Sequence, residues 1–268
     1  MVLAGNLLLL PAWAVAAESS PSERFGARAE AERRFSLSLG AEYTRGDYGT
    51  GATTDVLYLP LTGRLDIGDN TFRLTIPYIS VTAPSATGTV VGTDPMGRPI
   101  RRGGVRGRVT ESGLGDVLAS YGRFLLDRAS TTLEGVAKIK FGTADETRGL
   151  GTGENDYSAQ LNVYQGIGAW TLLATLGYKV LGDPPGTDFD NIFFAALGAS
   201  ARYGDASSVG AIYDYRQAAT SAGDPQRELT LYVRSDVGRG NQLEAYALKG
   251  FGDASPDWGV GASVMVGF

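Results

Sequence analysis

From Phe35 onward the chain alternates apolar and polar residues with a period of two, in segments of ten to thirteen residues bounded by clusters of Gly, Asp, Asn and Pro. That period sends successive side chains to opposite faces of an extended strand, whereas a helical stripe needs a period of 3.6. The last segment is the clearest. Trp258, Val260, Ala262, Val264, Val266 and Phe268 share one face, and Gly259, Gly261, Ser263, Met265 and Gly267 share the other. Residues 170–181 repeat the pattern, with Trp170, Leu172, Ala174, Leu176, Tyr178 and Val180 opposed to Thr171, Thr175 and Lys179. In 209–217, Val209, Ala211, Tyr213 and Tyr215 oppose Asp214 and Arg216, and in 229–237, Leu229, Leu231, Val233 and Val237 oppose Thr230, Tyr232, Arg234 and Asp236. Further strands are expected at 35–46, 53–66, 71–83, 113–125, 131–143, 156–167, 191–203 and 242–252. The alternation is looser in 113–125, 191–203 and 242–252, whose faces stay unassigned.

The total of about twelve is even, as in single-chain bacterial barrels, and it leaves about twenty residues for each strand with its connection. Connections alternate in length. Short ones fall at 68–70, 126–130, 167–169, 204–207 and 239–241, and longer ones at 47–52, 84–112, 144–155, 182–190, 221–227 and 253–257. Short turns on one side and long loops on the other are the outer-membrane arrangement, with the turns and both chain ends periplasmic. An aliphatic stripe with an aromatic residue at each end suits hydrocarbon between two interfaces. A soluble β-sandwich would also have many strands, but would leave the loop alternation, the aromatic ends and the terminal Phe268 as coincidences. The expected fold is therefore all-β: a transmembrane antiparallel β-barrel of about 12 strands, with short periplasmic turns and longer extracellular loops.

The first residues are expected to be an address. Leu7 to Leu10 form an apolar run, and Val15-Ala16-Ala17 supplies the small residues of a cleavage site, so 1–17 is assigned as a signal peptide cut after Ala17, although Arg24 is the first basic residue. Residues 18–34 are then a short periplasmic lead-in, and 35–268 the barrel. Export and a barrel place the chain in the outer membrane of a Gram-negative cell.

Composition narrows the chemistry. With Cys 0 and His 0, the chain has no thiol nucleophile, no disulfide framework, and neither the commonest general base nor the commonest zinc ligand. A barrel phospholipase of this size needs a base beside its serine. No enzyme, catalytic residue, metal or cofactor is expected. A net charge of −5 gives no basis for nucleic-acid binding. Gly149-Leu-Gly-Thr-Gly153 is no phosphate cradle, because no Lys-Ser/Thr follows it.

If the aliphatic stripes face lipid, the charges between them face the lumen: Glu42, Arg64, Asp66, Arg73, Glu134, Lys138, Lys140, Lys179, Arg202, Asp214, Arg216, Arg234 and Asp236. Both signs are present, which suits a self-satisfying polar filling as well as a permeation path. The candidate pore lining is Arg73, Glu134, Lys138, Lys140, Lys179, Asp214, Arg216, Arg234 and Asp236. Twelve strands lie between the eight that side chains fill and the sixteen that leave an open channel, so a narrow or gated pore is expected. The 84–112 loop carries Arg98, Arg101, Arg102, Arg106 and Arg108. It reads either as a constriction or anion-attracting patch at the mouth, or as an external loop on lipopolysaccharide phosphates.

Three short motifs carry a resemblance. Ser112-Gly113-Leu114-Gly115-Asp116-Val117 begins a middle strand, Lys140-Phe141-Gly142-Thr143 ends the next, and Gly151-Thr152-Gly153-Glu154-Asn155-Asp156-Tyr157 follows. In these the chain resembles a bacterial family of outer-membrane transporters of the MetA-pathway-of-phenol-degradation type, whose second motif reads Lys-Pro-Thr-Gly. The resemblance implies a barrel often placed near the degradation of aromatic compounds. The expected function is an outer-membrane channel or transporter for passive passage of small solutes, with hydrophobic or aromatic compounds among the candidates. The alternative is a structural or assembly barrel without transport. An autotransporter translocator would need a larger passenger than 18–34. Expected partners are the lipid bilayer, lipopolysaccharide, a small-molecule solute, and the barrel-assembly machinery, with Phe268 as its assembly signal.

Overall fold

The structure is a computed structural model that describes residues 33–268 apart from 50, 87–88, 94–98, 103–104, 222 and 239; within 85–107 only the backbone is described. The proposed signal peptide and most of the lead-in, residues 1–32, lie outside the described residues.

Antiparallel strands follow one another with the spacing that the alternation predicts. They are β1 (Arg33–Gly46), β2 (Thr54–Ile67), β3 (Asn70–Ala86), a separate hairpin of β4 (Thr89–Thr93) and β5 (Pro99–Arg102), then β6 (Val105–Leu114), β7 (Val117–Arg128) and β8 (Thr131–Phe141). Next come β9 (Asp156–Ile167), β10 (Trp170–Val180), β11 (Ile192–Tyr203), β12 (Ser207–Arg216), β13 (Gln226–Asp236), β14 (Gln242–Gly250) and β15 (Trp258–Gly267). β3 pairs with β7 near its start and with β6 further on, so β6 and β7 are two halves of one stave. Pairing of β1 with β15, from Ser36↔Gly267 to Arg45↔Trp258, closes the sheet into a barrel of 12 staves. Closure leaves no open edge, which is the condition for a sheet to cross hydrocarbon.

The two faces of each stave differ as the stripes require. Leu176 and Leu197, pointing outward, keep 63% and 66% of their surface exposed, while inward Thr175 and Ala196 keep 5% and 4%. An eleven-residue strand such as Trp170–Val180, tilted by about 45°, spans about 25 Å, the height of an outer-membrane apolar band. Aromatic pairs mark both borders of that band. On the loop side Tyr43 meets Trp258 and Tyr178 meets Phe193, with ring centroids 5.6 and 4.7 Å apart. On the turn side Phe35 meets Phe268 and Phe72 meets Tyr121, at 5.9 and 5.2 Å.

The strands with loose alternation have identifiable causes. The stave 105–128 changes phase at Gly115-Asp116, between its two halves. β11 is apolar on both faces, because inward Ile192 packs with Leu181 and Phe189, and inward Ala196 with Tyr164, Leu173 and Ile212. In β14 the inward face mixes Glu244 with Tyr246 and Leu248, all buried. The expected loop 84–112 is largely strand instead: β3 runs on to Ala86, β6 starts at Val105, and β4–β5 form a hairpin between them.

Candidate functional site

At the loop-side end of the lumen the three motifs meet. β6 faces inward with Glu111 and Gly113, which lie opposite inward-facing Val81 and Ile79. After the break β7 faces inward with Leu118, Ser120 and Gly122, opposite Thr75, Arg73 and Thr71. At the break the Gly115 amide donates to the Pro77 carbonyl at 2.9 Å. A Cβ on Gly115 would stand 2.5 Å from the Ile79 side chain, so glycine is what lets the chain turn there. The turn aims Asp116 inward, where it is 2% exposed.

Asp116 joins a buried set of four charges. Lys140 Nζ lies 3.3 Å from Asp116 Oδ2 and 3.1 Å from Asp156 Oδ2, and Lys179 Nζ lies 3.1 Å from the same Asp156 oxygen. Two cations and two carboxylates so placed neutralise one another. Removing one member leaves a buried charge uncompensated, at a cost of about 3–5 kcal/mol. Two loops hang on this set. The Ala144 amide donates to Asp116 Oδ1 at 2.9 Å and Lys140 Nζ donates to Thr152 Oγ1 at 3.2 Å, holding the β8–β9 loop. The Gly182 amide donates to Asp156 Oδ1 at 3.2 Å, holding the β10–β11 loop. Gly142 and Gly153 are in backbone contact, since a Cβ on Gly142 would lie 2.3 Å from Gly153.

The β8–β9 loop, residues 142–155, folds into the barrel rather than away from it. A short 3-10 turn, Glu146–Arg148, is capped by Asp145. The Thr147 hydroxyl and the amides of Arg148 and Thr147 hold the Asp145 carboxyl below the usual carboxylate range. Arg148 Nε reaches Glu111 at 3.0 Å. Beyond the turn, Leu150 is 2% exposed and clusters with Ala144 and with the inner-wall residues Val56, Tyr58, Ile79 and Val81. The loop thus crosses from β8 and β9 to the inner faces of β2 and β3. The Tyr58 hydroxyl, wholly buried there, has no hydrogen-bond partner among the described residues and stands within electrostatic reach of Glu42 and Asp116.

Each charge assigned to the pore lining lies on an inward register position, but most are engaged. Asn162 donates to Glu134 at 3.1 Å and in turn accepts from Gln160 and Thr175, both at 2.9 Å. Asp214 faces Glu228 across β12 and β13, with one Asp214 oxygen unpartnered among the described residues, while Arg216 donates to Gln226 at 3.1 Å. Towards the turn side, Arg234 donates to one oxygen of Glu244 from both Nε and a terminal nitrogen, at 2.8 and 2.5 Å. Asp236, at the rim, accepts from Gln242 at 2.9 Å. Arg64 Nε lies 2.8 Å from Asp66, and Arg73 stands opposite Arg64. Lys138 shares the inward face of β8 with Glu134 and Lys140. Of the mouth arginines, Arg98 and the side chains of Arg101, Arg102 and Arg106 lie outside the described residues. Arg108 is fixed at the rim by Asp55 and by the Thr82 carbonyl, 3.1 Å away.

Inward glycines shape the remaining wall. Gly177, Gly210 and Gly261 stand directly opposite Phe194, Tyr232 and Tyr246, and a Cβ on any of them would lie within 2.1–2.5 Å of the facing ring. The three rings therefore lie flat along the wall instead of projecting into the lumen. Tyr246 donates to Glu42 at 2.5 Å across the closing seam. The alternation made these glycines look like the small face of a strand. Their register partners, which only pairing defines, show them as seats for rings.

The barrel, its apolar girdle and its charged inner wall define an outer-membrane β-barrel with a loop folded into its mouth. The chain belongs to the family described as "Putative MetA-pathway of phenol degradation", whose model matches residues 34–268. Its structure is similar to that of an outer membrane channel from Pseudomonas putida F1, with a TM-score of 0.65 at 14% identity, covering 93% of this chain and 100% of that one. The translocator domain of the autotransporter NalP from Neisseria meningitidis is less alike, with a TM-score of 0.48 at 10% identity, covering 96% and 95%. The P. putida toluene transporter TodX gives 0.45 at 11% identity, covering 93% and 92%. No curated protein matches the chain in sequence.

Proposed function

We propose that the chain is a channel for passive passage of small solutes across the outer membrane, hydrophobic or aromatic compounds among them, and that the 142–155 loop sets its narrowest point. The carrying observation is the inward loop: Leu150 and Ala144 meet the inner wall of β2 and β3, so the mouth is constricted by an ordered segment of the chain itself. Support for the solute class comes from the family's description and from the apolar inner patch of Val56, Ile79 and Val81. Fixed charges in such a narrow passage act strongly on what permeates, because the surrounding dielectric is low. Single-channel recording of the refolded chain tests the reading, with small discrete conductance steps expected. A barrel that assembles in planar bilayers yet carries no current would overturn it and favour the structural alternative, to which the buried Arg234–Glu244 pair also lends itself. We further infer that lipopolysaccharide and the barrel-assembly machinery are partners, the latter reading Phe268. Deleting Phe268 should lower surface insertion in cells, and unchanged insertion would remove that role.

A further inference from the structure

Leu150 occupies its seat in an unusual way for a side chain of a connecting loop. It is 2% exposed, and its walls are strand residues Val56, Ile79 and Val81 with the ring of Tyr58. Gly113 lies beneath it, where a Cβ would stand 2.9 Å from a Leu150 methyl group, so that floor is shaped to admit the leucyl group. On either side of it Gly149 and Gly153 have φ of +68° and +75°. These are conformations that glycine adopts without strain, and in the segment between them the charged set holds Thr152, whose hydroxyl accepts from Lys140. Among the apolar walls one polar group is wholly buried, the Tyr58 hydroxyl, without a partner among the described residues. An unsatisfied buried hydroxyl in a packed native site is uncommon and calls for an explanation.

We propose that Leu150 is a built-in occupant of a solute-binding subsite, and that a small molecule with an apolar body and one hydrogen-bonding group replaces it, placing its polar group on the Tyr58 hydroxyl. The proposal rests on the channel reading and names the step at which the constriction yields. Exchanging one apolar group for another of similar volume against the same walls leaves packing nearly unchanged. The solute adds what leucine lacks, a partner for Tyr58. Specificity follows from the same geometry. A purely apolar solute fills the seat but leaves the hydroxyl unpaired, and an anionic solute meets apolar walls with the carboxylates of Glu42 and Asp116 near the hydroxyl.

The test uses the full chain in planar bilayers and in proteoliposomes, with benzyl alcohol and toluene as probes at matched membrane concentration. Partition into lipid is common to all variants, so comparing variants cancels it. In bilayers, Leu150→Ala should raise the open conductance and lengthen the current interruptions caused by benzyl alcohol. Adding Tyr58→Phe to that background should shorten those interruptions about fivefold, the worth of one hydrogen bond, and leave toluene's unchanged. In proteoliposomes, benzyl alcohol should speed tryptic cleavage after Arg148 in the unmodified protein, because the displaced loop is released. Tyr58→Phe should abolish the advantage of benzyl alcohol over toluene. If Leu150→Ala does not assemble, Gly151→Ala takes its place, since its Cβ would press on Ala144 at 2.7 Å and Asp116 at 3.0 Å and loosen the loop while the strand walls Val56, Tyr58, Ile79 and Val81 stay unaltered. Equal effects of Tyr58→Phe on both probes, or cleavage indifferent to benzyl alcohol, overturn the subsite. A chain that carries no current sinks the channel reading alone, because the cleavage assay still reads Leu150 displacement.

Discussion

At the turn-side end of the lumen, Arg234 and Glu244 pair across two neighbouring strands, and Arg64 pairs with Asp66 along one. At the loop-side end, Lys140 and Lys179 share Asp156 while Lys140 also holds Asp116, so that four consecutive staves are joined. The turn-side contacts are shorter, at 2.5 and 2.8 Å against 3.1–3.3 Å, and the Arg64–Asp66 pair is less buried; the backbone attached to each end differs as well. The turn-side pairs link strand residues, whereas Asp116, Asp156 and Lys140 each bind a loop group as well, from Ala144, Gly182 and Thr152. The same ion-pair chemistry braces the wall at one end and holds the constriction at the other.

Substitutions at the two ends should separate these roles. The largest effect on stability is expected for Arg234→Gln, which leaves Glu244 buried with its two short bonds gone and should cost about 4 kcal/mol in urea unfolding. Conductance and tryptic cleavage after Arg148 should stay as they were. Released loop cleavage in this variant would erase the distinction between the ends. Asp116→Asn keeps a polar group of the same shape, so about 3 kcal/mol is expected. Here the loop should loosen, giving faster cleavage after Arg148 and a larger open conductance. A stable variant with unchanged conductance would show that the loop is held without Asp116.

Gly261→Ala tests the wall between the ends. Its Cβ would lie 2.2 Å from the Tyr246 ring, so the ring must swing into the lumen and lose Glu42. Roughly 2 kcal/mol of destabilisation and a reduced conductance should follow. A conductance equal to that of the parent would mean that the ring has room to settle elsewhere on the wall. Smallest of all is the expected change in ion preference. Replacing Lys138 and Lys140 together by Gln should move the reversal potential a little toward cations, because two inward positive charges are removed. An identical reversal potential in the variant and the parent would place both residues off the path.

The period-two stripes were enough to predict the barrel, because lipid on one side and lumen on the other impose a difference in polarity that survives in every clean strand, from Trp170–Val180 to Trp258–Gly267. Loop lengths oriented it, and parity alone placed Lys140, Lys179 and Arg234 on the inner wall. Legibility failed where the backbone leaves the regular ladder. A two-residue break at Gly115-Asp116 reverses the faces of a stave, and no periodicity reports a phase change from within.

By its length and charge the arginine-rich 84–112 segment reads either as a constriction at the mouth or as an external loop, and periodicity gives no sign that Leu150, in a shorter connection, is carried inside. What the sequence determined is each strand's membership in the wall and the face each residue takes, since these follow from local alternation. What tertiary structure decided is who meets whom. Lys140 finds Asp116 and Asp156, Gly261 seats Tyr246, and Leu150 reaches β2 and β3 only after closure brings distant stretches together. The reason is physical: a face is a property of a strand, but a partner is a property of the register between strands, and register is fixed only when the whole cylinder closes.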